Sequence, residues 1–196
     1  MPREKGTLVF DIETIPDIPR ARRLYALDNL TDAEAFEALK NIRRQDTGGS
    51  HFFRHHLHRV VCISVVLKLG DTVRVWSLGE EDGTEADIIR RFFSAIDKYD
   101  LTLVSWNGSG FGLPVLHYRA MLHGISAPMY WELGEHYKDY RYNNYINRFH
   151  LRHIDLMDVL SLYQGRAAQP LDQIASFLGF PGKLGMDGSK VYDQFL

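Results

Sequence analysis

The pattern of apolar and polar positions along the chain predicts five β-strands. Each is a short apolar run bounded by turn-forming residues, which is typical of strands in a sheet. The five runs are residues 7–13, 59–69, 72–78, 101–106 and 151–155. The second and third runs are joined by Gly70-Asp71, a dipeptide that favours a tight turn, so they are predicted to form a β-hairpin.

Between the strands, apolar residues recur at helical spacing. Thr31 and Glu34 are placed as in a capping box, which marks the start of a helix. Pro170 and Gly179 bracket the last helical segment. Residues 46–59 are polar and contain two glycines, and they are predicted to form a surface loop. The predicted helical segments are residues 18–45, 84–98, 112–123, 156–163 and 171–178.

This order of elements predicts an α/β fold with a mixed, five-stranded central sheet flanked by helices. A chain of 196 residues is long enough for one domain with a buried core. Because no repeat or linker interrupts the pattern, we expect one domain over residues 1–196, with residues 18–58 as a helical and loop insertion. Sites in sheets of this kind lie at strand ends.

Composition and charge exclude several classes of protein. The formal net charge of −2 argues against binding nucleic acid by bulk charge, although a local basic groove is compatible with it. Cys62 is the single cysteine, which excludes an internal disulfide and a cysteine-based zinc site. No apolar run reaches the ~18 to 20 residues of a membrane span, and the amino terminus lacks the apolar core of a signal peptide. We therefore expect a soluble, cytoplasmic protein without membrane partners.

Two acids close the first predicted strand. Asp11 and Glu13 are separated by one residue and follow the apolar residues 8–10. Side chains at i and i+2 of a strand share a face. Two carboxylates held close together are both ionised at low cost only when a cation lies between them. Because carboxylate oxygens suit hard divalent ions, the sequence predicts a metal site at this strand end.

A second motif follows the fourth predicted strand and opens a helix. Residues 105–116 have the sequence SWNGSGFGLPVL. In this order and spacing, the two motifs resemble those of the DEDD (DnaQ-like) superfamily of 3′-5′ exonucleases. Within that superfamily, the chain is most similar to bacterial proteins related to the exonuclease domain of family B DNA polymerases. The resemblance runs from Leu8 to about Tyr192.

The resemblance implies an RNase H-like fold and hydrolysis of the terminal phosphodiester of DNA with two divalent ions, Mg²⁺ or Mn²⁺. It implies that Asp11 bridges both ions and that Glu13 binds one, which makes them catalytic residues and metal ligands. It also implies that Asn107 and Phe111 shape the pocket for the terminal nucleotide. The expected partners are single-stranded DNA and DNA 3′ ends, and RNA is a further candidate.

Three more residues are candidates for contact with nucleic acid. Thr14 directly follows the two acids. Lys190 lies in a glycine-rich segment near the end of the chain and is a candidate phosphate contact. Asp155 is a candidate for the substrate groove, although Asp155 and Asp158 are also expected to cap or flank the helix after the fifth strand.

The chain departs from the family pattern at two places. The family has an aspartate directly after the second-motif phenylalanine, where this chain has Gly112. The family's third motif is a tyrosine or histidine followed by an aspartate. His153 and Asp158 have the spacing of the histidine form, but they precede the leucine-rich helix that should come before it. We expect the missing acid to lie beyond Leu196, in a truncated chain, and we expect the exonuclease activity to be impaired.

Other functions and features remain open at this point. The chain fits a nucleic-acid-binding pseudoenzyme that retains the groove without cleavage, or an exoribonuclease of the same superfamily, for which the 2′-hydroxyl is the discriminating group. Residues 137–145 carry four tyrosines, which favours either base stacking or a packed loop. The four histidines within residues 51–58 match no zinc pattern and are interpreted as polar loop residues.

Overall fold

The structure of the protein, a computed structural model, describes residues 3–80 and 83–181. The strands are β1 (Lys5–Pro16), β2 (His58–Leu69), β3 (Thr72–Leu78), β4 (Asp100–Ser105) and β5 (His153–Asp155). The α-helices of the described ranges are α1 (Ile18–Leu24), α2 (Asp32–Thr47), α3 (Glu85–Lys98), α4 (Leu113–Leu122), α5 (Leu156–Leu160) and α6 (Leu171–Phe177). Within these ranges, every helix is too short or too polar to cross a membrane.

The strands form one mixed sheet in the order β3-β2-β1-β4-β5. β1 is antiparallel to β2 and parallel to β4, and β4 is parallel to β5. The carboxyl ends of β1, β4 and β5 therefore lie at one edge of the sheet, which is the edge where ligands bind in α/β folds. The predicted α/β fold with a mixed five-stranded sheet is confirmed.

One face of the sheet is covered by α3 and α4. Leu8, Phe10 and Ile12 of β1 are buried on this face, because successive side chains of a strand point to opposite faces. The ring of Phe10 lies 5.0 Å from that of Phe92 in α3. Leu116 of α4 is fully buried in the same cluster. The main hydrophobic core therefore lies between this face and the two helices.

The opposite face of the sheet carries the two acids of β1. Val9 and Asp11 alternate with the core residues of the strand and are exposed. Val9 is paired with Val66 of β2, and Val66 with Val75 of β3, so a row of valines crosses this face. Asp11 is opposite Ser64, one step further along β1 on the same face. The acids therefore lie outside the main core.

The insertion between β1 and β2 has a small hydrophobic core of its own. Its buried members are Ile18, Ala21, Ala35, Leu39, Phe53 and Leu57. A buried network of charged groups connects the start of this insertion to the main core. Arg119 of α4 donates to Asp17, the N-cap of α1, at 2.5 Å, and to both carboxylate oxygens of Glu85 in α3. The three side chains are nearly excluded from solvent.

The predicted helical segment over residues 18–45 is confirmed at both ends but is not helical throughout. The segment forms α1 and α2, with a break between them. Ala26 lies in the break and has a positive φ of 53°, which a continuous right-handed helix does not permit. Thr31 and Glu34 form the predicted capping box, so the signal for the start of α2 was present in the sequence.

The helix after β5 is also shorter than predicted. α5 ends at Leu160 rather than near residue 163. Leu162 and Tyr163 have positive φ values of 52° and 60°, and this left-handed conformation ends the helix. The chain then reaches α6 through a short 3₁₀ turn, Gly165–Ala167.

Candidate active site

The two acids lie in the carboxyl half of β1, near the edge shared with β4 and β5. Asp11 is exposed and Glu13 is half-buried. Their spacing on an extended strand gives both side chains the same face. A β-bulge follows between Glu13 and Thr14. Bulges bend a strand and redirect its side chains, and they are common beside active sites.

The chemistry of this strand end fits a hard divalent ion in an open site. Asp11 and Glu13 supply oxygen ligands, the type that Mg²⁺ and Mn²⁺ prefer. Mg²⁺ is commonly held by one or two carboxylates, while water and substrate phosphates fill its other positions. Among residues 3–80 and 83–181, no group of three or more His, Cys, Asp or Glu side chains is arranged to hold a metal ion. Asp11 and Glu13 could hold one such ion, with water and phosphate as its other ligands.

The second motif forms a tight turn that Asp155 supports from inside the domain. Asn107 has a left-handed φ of 59°, and a π-helical turn, Gly108–Gly112, leads into α4. The carboxylate of Asp155 accepts the N–H groups of Asn107 at 2.8 Å and Ser109 at 2.9 Å. It also accepts the N–H of Met157 at 3.2 Å as the N-cap of α5, which confirms the expected capping role. Asp155 is 4% exposed, and both of its oxygens accept from the chain's own amides.

Two glycines of this turn differ in what the fold requires of them. A Cβ on Gly108 would lie 2.1 Å from Ser105 Oγ, which is itself 2.7 Å from His153 Nε2 in the interior. Gly112 has ordinary helical angles, φ −59° and ψ −50°. A Cβ on Gly112 would lie 3.7 Å from the ring of Phe10, an ordinary van der Waals contact. The fold therefore requires glycine at position 108 but not at position 112.

Thr14 and Phe111 are linked through a buried histidine. Nε2 of His58 donates to the carbonyl oxygen of Phe53 at 3.3 Å, so its Nδ1 accepts the hydroxyl proton of Thr14 at 2.9 Å. Burial lowers the pKa of His58 to about 4, and the ring is neutral near pH 7. The ring of His58 meets that of Phe111 edge-on at 5.0 Å. The first and second motifs are therefore joined across His58.

The loop before β2 also contacts the second-motif turn. Nε2 of His55 donates to the carbonyl oxygen of Gly110 at 2.8 Å. The ring of Phe52 lies 5.4 Å from that of Phe111. The interpretation of the histidines as polar loop residues fits the exposed His51. It does not include the burial of His58 at the start of β2 or the contact of His55 with Gly110. The spacing of the histidines could not reveal this contact, because it joins residues 55 positions apart in the chain.

Asn107 also lines a cleft of about 290 Å³ beside the second-motif turn. His117, Tyr145 and Arg148 line the same cleft. Nε2 of His117 is the one buried side-chain polar atom of the described residues that lacks a hydrogen-bond partner. Burial lowers the pKa of His117 to about 4. Asn107 therefore belongs both to the second-motif turn and to the wall of a cleft with mixed polar, apolar and aromatic lining.

The tyrosines of residues 137–145 divide between core and surface. Tyr140 and Tyr145 are buried. The hydroxyl of Tyr145 donates to a backbone carbonyl of β4 at 2.5 Å, and the guanidinium of Arg152 lies 3.7 Å from the ring centroid of Tyr140. Tyr142, by contrast, is 79% exposed. The packed-loop interpretation is therefore confirmed for Tyr140 and Tyr145, and base stacking by the exposed tyrosines stays a prediction.

The residues with the spacing of the histidine-type third motif have separate partners. His153 is buried against Ser105. Asp158 accepts two hydrogen bonds from Arg148, each at 2.8 Å. The pair is therefore engaged in local structure. Lys190 lies outside the described residues, so its contact with phosphate stays a prediction.

Comparison with known proteins supports the resemblance to the exonuclease family. A family model described as "Predicted 3'-5' exonuclease related to the exonuclease domain of PolB" matches residues 50–196. The match includes the second-motif turn and Gly112, while Asp11 and Glu13 precede it. None of the curated proteins matches the chain.

Two solved structures are similar to the chain, and the first of them shows the same fold. The family B DNA polymerase from the hyperthermophilic archaeon Pyrobaculum calidifontis is similar with a TM-score of 0.53 and 18% identity, over 98% of this chain and 21% of the polymerase. E. coli exonuclease I in complex with a 5cy-dT13 oligonucleotide gives a TM-score of 0.43 and 11% identity, over 92% of this chain and 37% of that one. The chain thus spans only a minor part of these proteins, and the first likeness is to an RNase H-like exonuclease fold. Because the family model matches more than half of the chain, the protein belongs to the family of predicted 3′-5′ exonucleases related to the exonuclease domain of PolB.

Proposed function

We propose that the protein is a metal-dependent 3′-5′ exonuclease domain that releases terminal nucleotides from DNA, and that Gly112 impairs this activity. The observation that carries the proposal is the placement of Asp11 and Glu13 on one face in the carboxyl half of β1. β1 and β4 are parallel neighbours, so the second-motif turn after β4 lies at the same edge of the sheet. Membership of the exonuclease family supports the same function.

Asp11 and Glu13 are proposed to hold the catalytic ion, Mg²⁺ or Mn²⁺. When bound, the ion supplies Lewis-acid chemistry by acidifying water and neutralising charge on the phosphate. The two carboxylates set the position of that chemistry at the strand end. They lie on a strand paired on both sides, which is a rigid support for a site.

The remaining residues are proposed to position the terminal nucleotide. Thr14 donates its hydroxyl proton to His58, which leaves its oxygen as an acceptor for a substrate hydroxyl or amino group. Asn107 and Phe111 supply an amide and a ring from the second-motif turn, and Lys190 is proposed to contact phosphate. A ring face makes no base-specific hydrogen bonds, so single strands and frayed 3′ ends of varied sequence are the proposed substrates.

Gly112 is proposed to lower the activity because it removes one carboxylate from the ligand set. Hydrolysis with two ions requires ligands that clamp both of them. The backbone angles and the space at position 112 permit a Cβ atom, so the glycine is not explained by the needs of the fold. We expect one weakly held ion and slow hydrolysis.

The same glycine favours a second candidate function, a pseudoenzyme that binds nucleic-acid ends without cleaving them. Thr14, Asn107 and Phe111 do not depend on the missing acid and would still meet a strand end. Binding of this kind weakens as salt concentration rises, because it releases counterions from the phosphates. It would occur with no release of nucleotides, however long the incubation.

The test is nucleotide release from a single-stranded DNA oligonucleotide, labelled at its 3′-terminal nucleotide in one preparation and at its 5′ end in another. With Mn²⁺ or Mg²⁺ we expect slow loss of the 3′ label as mononucleotide and stepwise shortening of the 5′-labelled strand. With EDTA we expect neither. The double variant Asp11→Asn/Glu13→Gln should abolish release, and Asp28→Asn, at an exposed acid of the insertion, should not.

The outcomes separate the candidate functions. Release that persists in the double variant contradicts the proposed roles of Asp11 and Glu13. Binding of the oligonucleotide without release identifies the pseudoenzyme. Faster release from an RNA oligonucleotide of the same sequence identifies an exoribonuclease, since the two substrates differ chiefly in the 2′-hydroxyl.

A further inference from the structure

Phe52 is the exposed member of an aromatic cluster between the two motifs. We call Phe52, His55, His58 and Phe111 the junction cluster. Neighbouring rings in it lie 5.0 to 5.9 Å apart, centroid to centroid. His58 is buried, His55 and Phe111 are half-buried, and Phe52 is 54% exposed. The junction cluster is therefore packed on its inner side and presents one phenyl ring to solvent.

The neighbouring phenylalanine shows that the exposure of Phe52 is not a general property of this loop. Phe53 is buried in the small core of the insertion, with its ring 5.8 Å from that of Phe36. The carbonyl oxygen of Phe53 also accepts the hydrogen bond that fixes His58. Two adjacent phenylalanines thus have different surroundings: Phe53 fills the insertion, and Phe52 belongs to the surface beside the motifs.

The junction cluster lies next to the proposed metal ligands. His58 accepts the hydroxyl proton of Thr14, and Thr14 directly follows Glu13 in β1. The ring of Phe52 lies 5.0 Å from that of His58. Two contacts therefore connect the exposed ring to Thr14, the residue after the second acid.

The backbone of Phe52 is held on both sides. Its N–H donates to Ser50 Oγ at 3.2 Å, and its carbonyl oxygen accepts from Arg43 Nε at 2.8 Å. His55 fixes the following part of the loop through the carbonyl oxygen of Gly110. Because the backbone of Phe52 is held in this way, the residue loses less conformational freedom when a ligand stacks on its ring, which favours binding.

We propose that Phe52 is a base-stacking residue that takes an unpaired nucleobase at or next to the 3′ end of the bound strand. This inference rests on the proposed function. A phenyl face has no donor or acceptor, so it accepts every base. The faces of a base within a duplex are covered by its neighbours, so stacking on Phe52 requires an unpaired strand. The loop of the insertion thereby supplies selectivity for single-stranded ends.

The experiment measures binding of 5′-dye-labelled dT12 by fluorescence anisotropy, with Ca²⁺ in place of Mg²⁺ or Mn²⁺ so that binding is followed apart from hydrolysis. Matched oligonucleotides carry an abasic residue at the last or the penultimate position. Base stacking on an aromatic side chain corresponds to about a 5- to 150-fold difference in affinity. We expect the parent protein to bind one abasic strand at least about fivefold more weakly than dT12, and Phe52→Ala to reduce that ratio to below about twofold.

Two variants control for folding and for general exposure of apolar rings. Phe52→Trp keeps an aromatic face and should retain the preference for the intact strand. Phe177→Ala removes a phenyl ring that is 84% exposed on α6, and it should leave the preference unchanged. Equal melting temperatures of the parent and Phe52→Ala establish that the variant is folded.

Three results would overturn the inference. If Phe52→Ala keeps the parent's preference, or if the parent does not distinguish intact from abasic strands, Phe52 does not stack on a base, while the proposed function stands. If the parent protein binds no oligonucleotide at all, the proposed function fails and the inference fails with it.

Discussion

Two aspartates at the same edge of the sheet have opposite surroundings. Asp155, at the end of β5, is 4% exposed and accepts three backbone N–H groups. Asp11, in the carboxyl half of β1, is exposed. A buried carboxylate is stable only when donors compensate for its lost hydration, and two of the three donors to Asp155 come from the second-motif turn. Asp155 therefore holds the site together, whereas Asp11 is accessible to an ion from solution.

The same distinction separates the acids of the buried network from those of the candidate site. Asp17 and Glu85 are buried and share the guanidinium of Arg119. Glu85 also accepts the N–H of Val60 at 2.7 Å. A carboxylate near a strand end or helix start therefore does not by itself indicate a catalytic or metal-binding role. Burial and the origin of its donors decide whether it is structural.

The largest effect is expected from breaking the buried network. Arg119→Met should lower the free energy of unfolding by about 3 to 5 kcal/mol, because it removes the buried charge partner that Asp17 and Glu85 share. The half-exposed Arg20 and the partly buried His123 then remain beside the two carboxylates. Urea denaturation measures the change.

Arg90→Met removes the partner of an exposed pair with Asp87 and should leave the unfolding midpoint nearly unchanged. Equal effects of the two substitutions would contradict the distinction by burial.

Replacing Asp155 and Asp11 separately with alanine should lower the free energy of unfolding by unequal amounts. Asp155→Ala leaves backbone donors of the second-motif turn unsatisfied inside the domain and should cost about 2 to 4 kcal/mol. Asp11→Ala, at an exposed position, should change the free energy of unfolding by less than about 1 kcal/mol. Both values come from denaturant titration. If Asp11→Ala proved the more destabilising, the roles assigned to the two residues would have to be reversed.

His117 of α4 is a partly buried base whose Nε2 atom is excluded from solvent. Burial lowers the pKa of His117 from 6.5 to about 4. Below pH 6.5 the unfolded chain therefore takes up a proton that the folded protein takes up only near pH 4, so stability falls as the pH is lowered through this window. At 1.36 kcal/mol per pKa unit, the loss reaches about 3 kcal/mol.

The measurement is the free energy of unfolding as a function of pH between 7 and about 4. His117→Phe should reduce this dependence, because the phenyl ring takes up no proton in either state, while His58, whose pKa burial also lowers to about 4, keeps its own contribution. His51→Asn, at an exposed position, should leave the dependence as it is in the parent. A parent slope that His117→Phe does not reduce would show that other groups cause it.

The smallest expected effect has the opposite sign. Gly112→Ala should raise the free energy of unfolding by about 0.4 to 1 kcal/mol. The backbone at position 112 already has helical angles, and the new methyl group would make ordinary van der Waals contacts. Gly108→Ala should destabilise, since its Cβ would lie 2.1 Å from Ser105 Oγ. Thermal denaturation of the two variants compares them. Destabilisation by Gly112→Ala would mean that the fold, after all, requires this glycine.

Local patterns account for most of what the sequence predicted correctly. The alternation in β1 located Asp11 and Glu13 on one face, Gly70-Asp71 located the hairpin, and Thr31 located the start of α2. Each of these signals is contained within a few neighbouring residues. The resemblance to a family then connected the acids of β1 with the turn at Asn107, which local patterns alone could not do.

Contacts between distant segments account for what was missed. His55 reaches Gly110, and Asp155 reaches Asn107, across 55 and 48 positions of the chain. Neither pair has a sequence signal, because each depends on how the loops assemble around the sheet. The position of the break at Ala26 had no sequence signal for another reason: an alanine with positive φ contradicts local helix propensity and is set by packing.

The central claim is that Asp11 and Glu13 are part of a metal site from which one acid is missing at position 112. Titration of Mn²⁺ by calorimetry tests it most directly, in Gly112→Asp and in its size control Gly112→Ala. We expect Gly112→Asp to bind Mn²⁺ at least about tenfold more tightly than Gly112→Ala, a difference of about 1.4 kcal/mol. Adding Asp11→Asn should remove this gain in affinity. Equal Mn²⁺ affinities of the two variants, or a gain that survives Asp11→Asn, would contradict it.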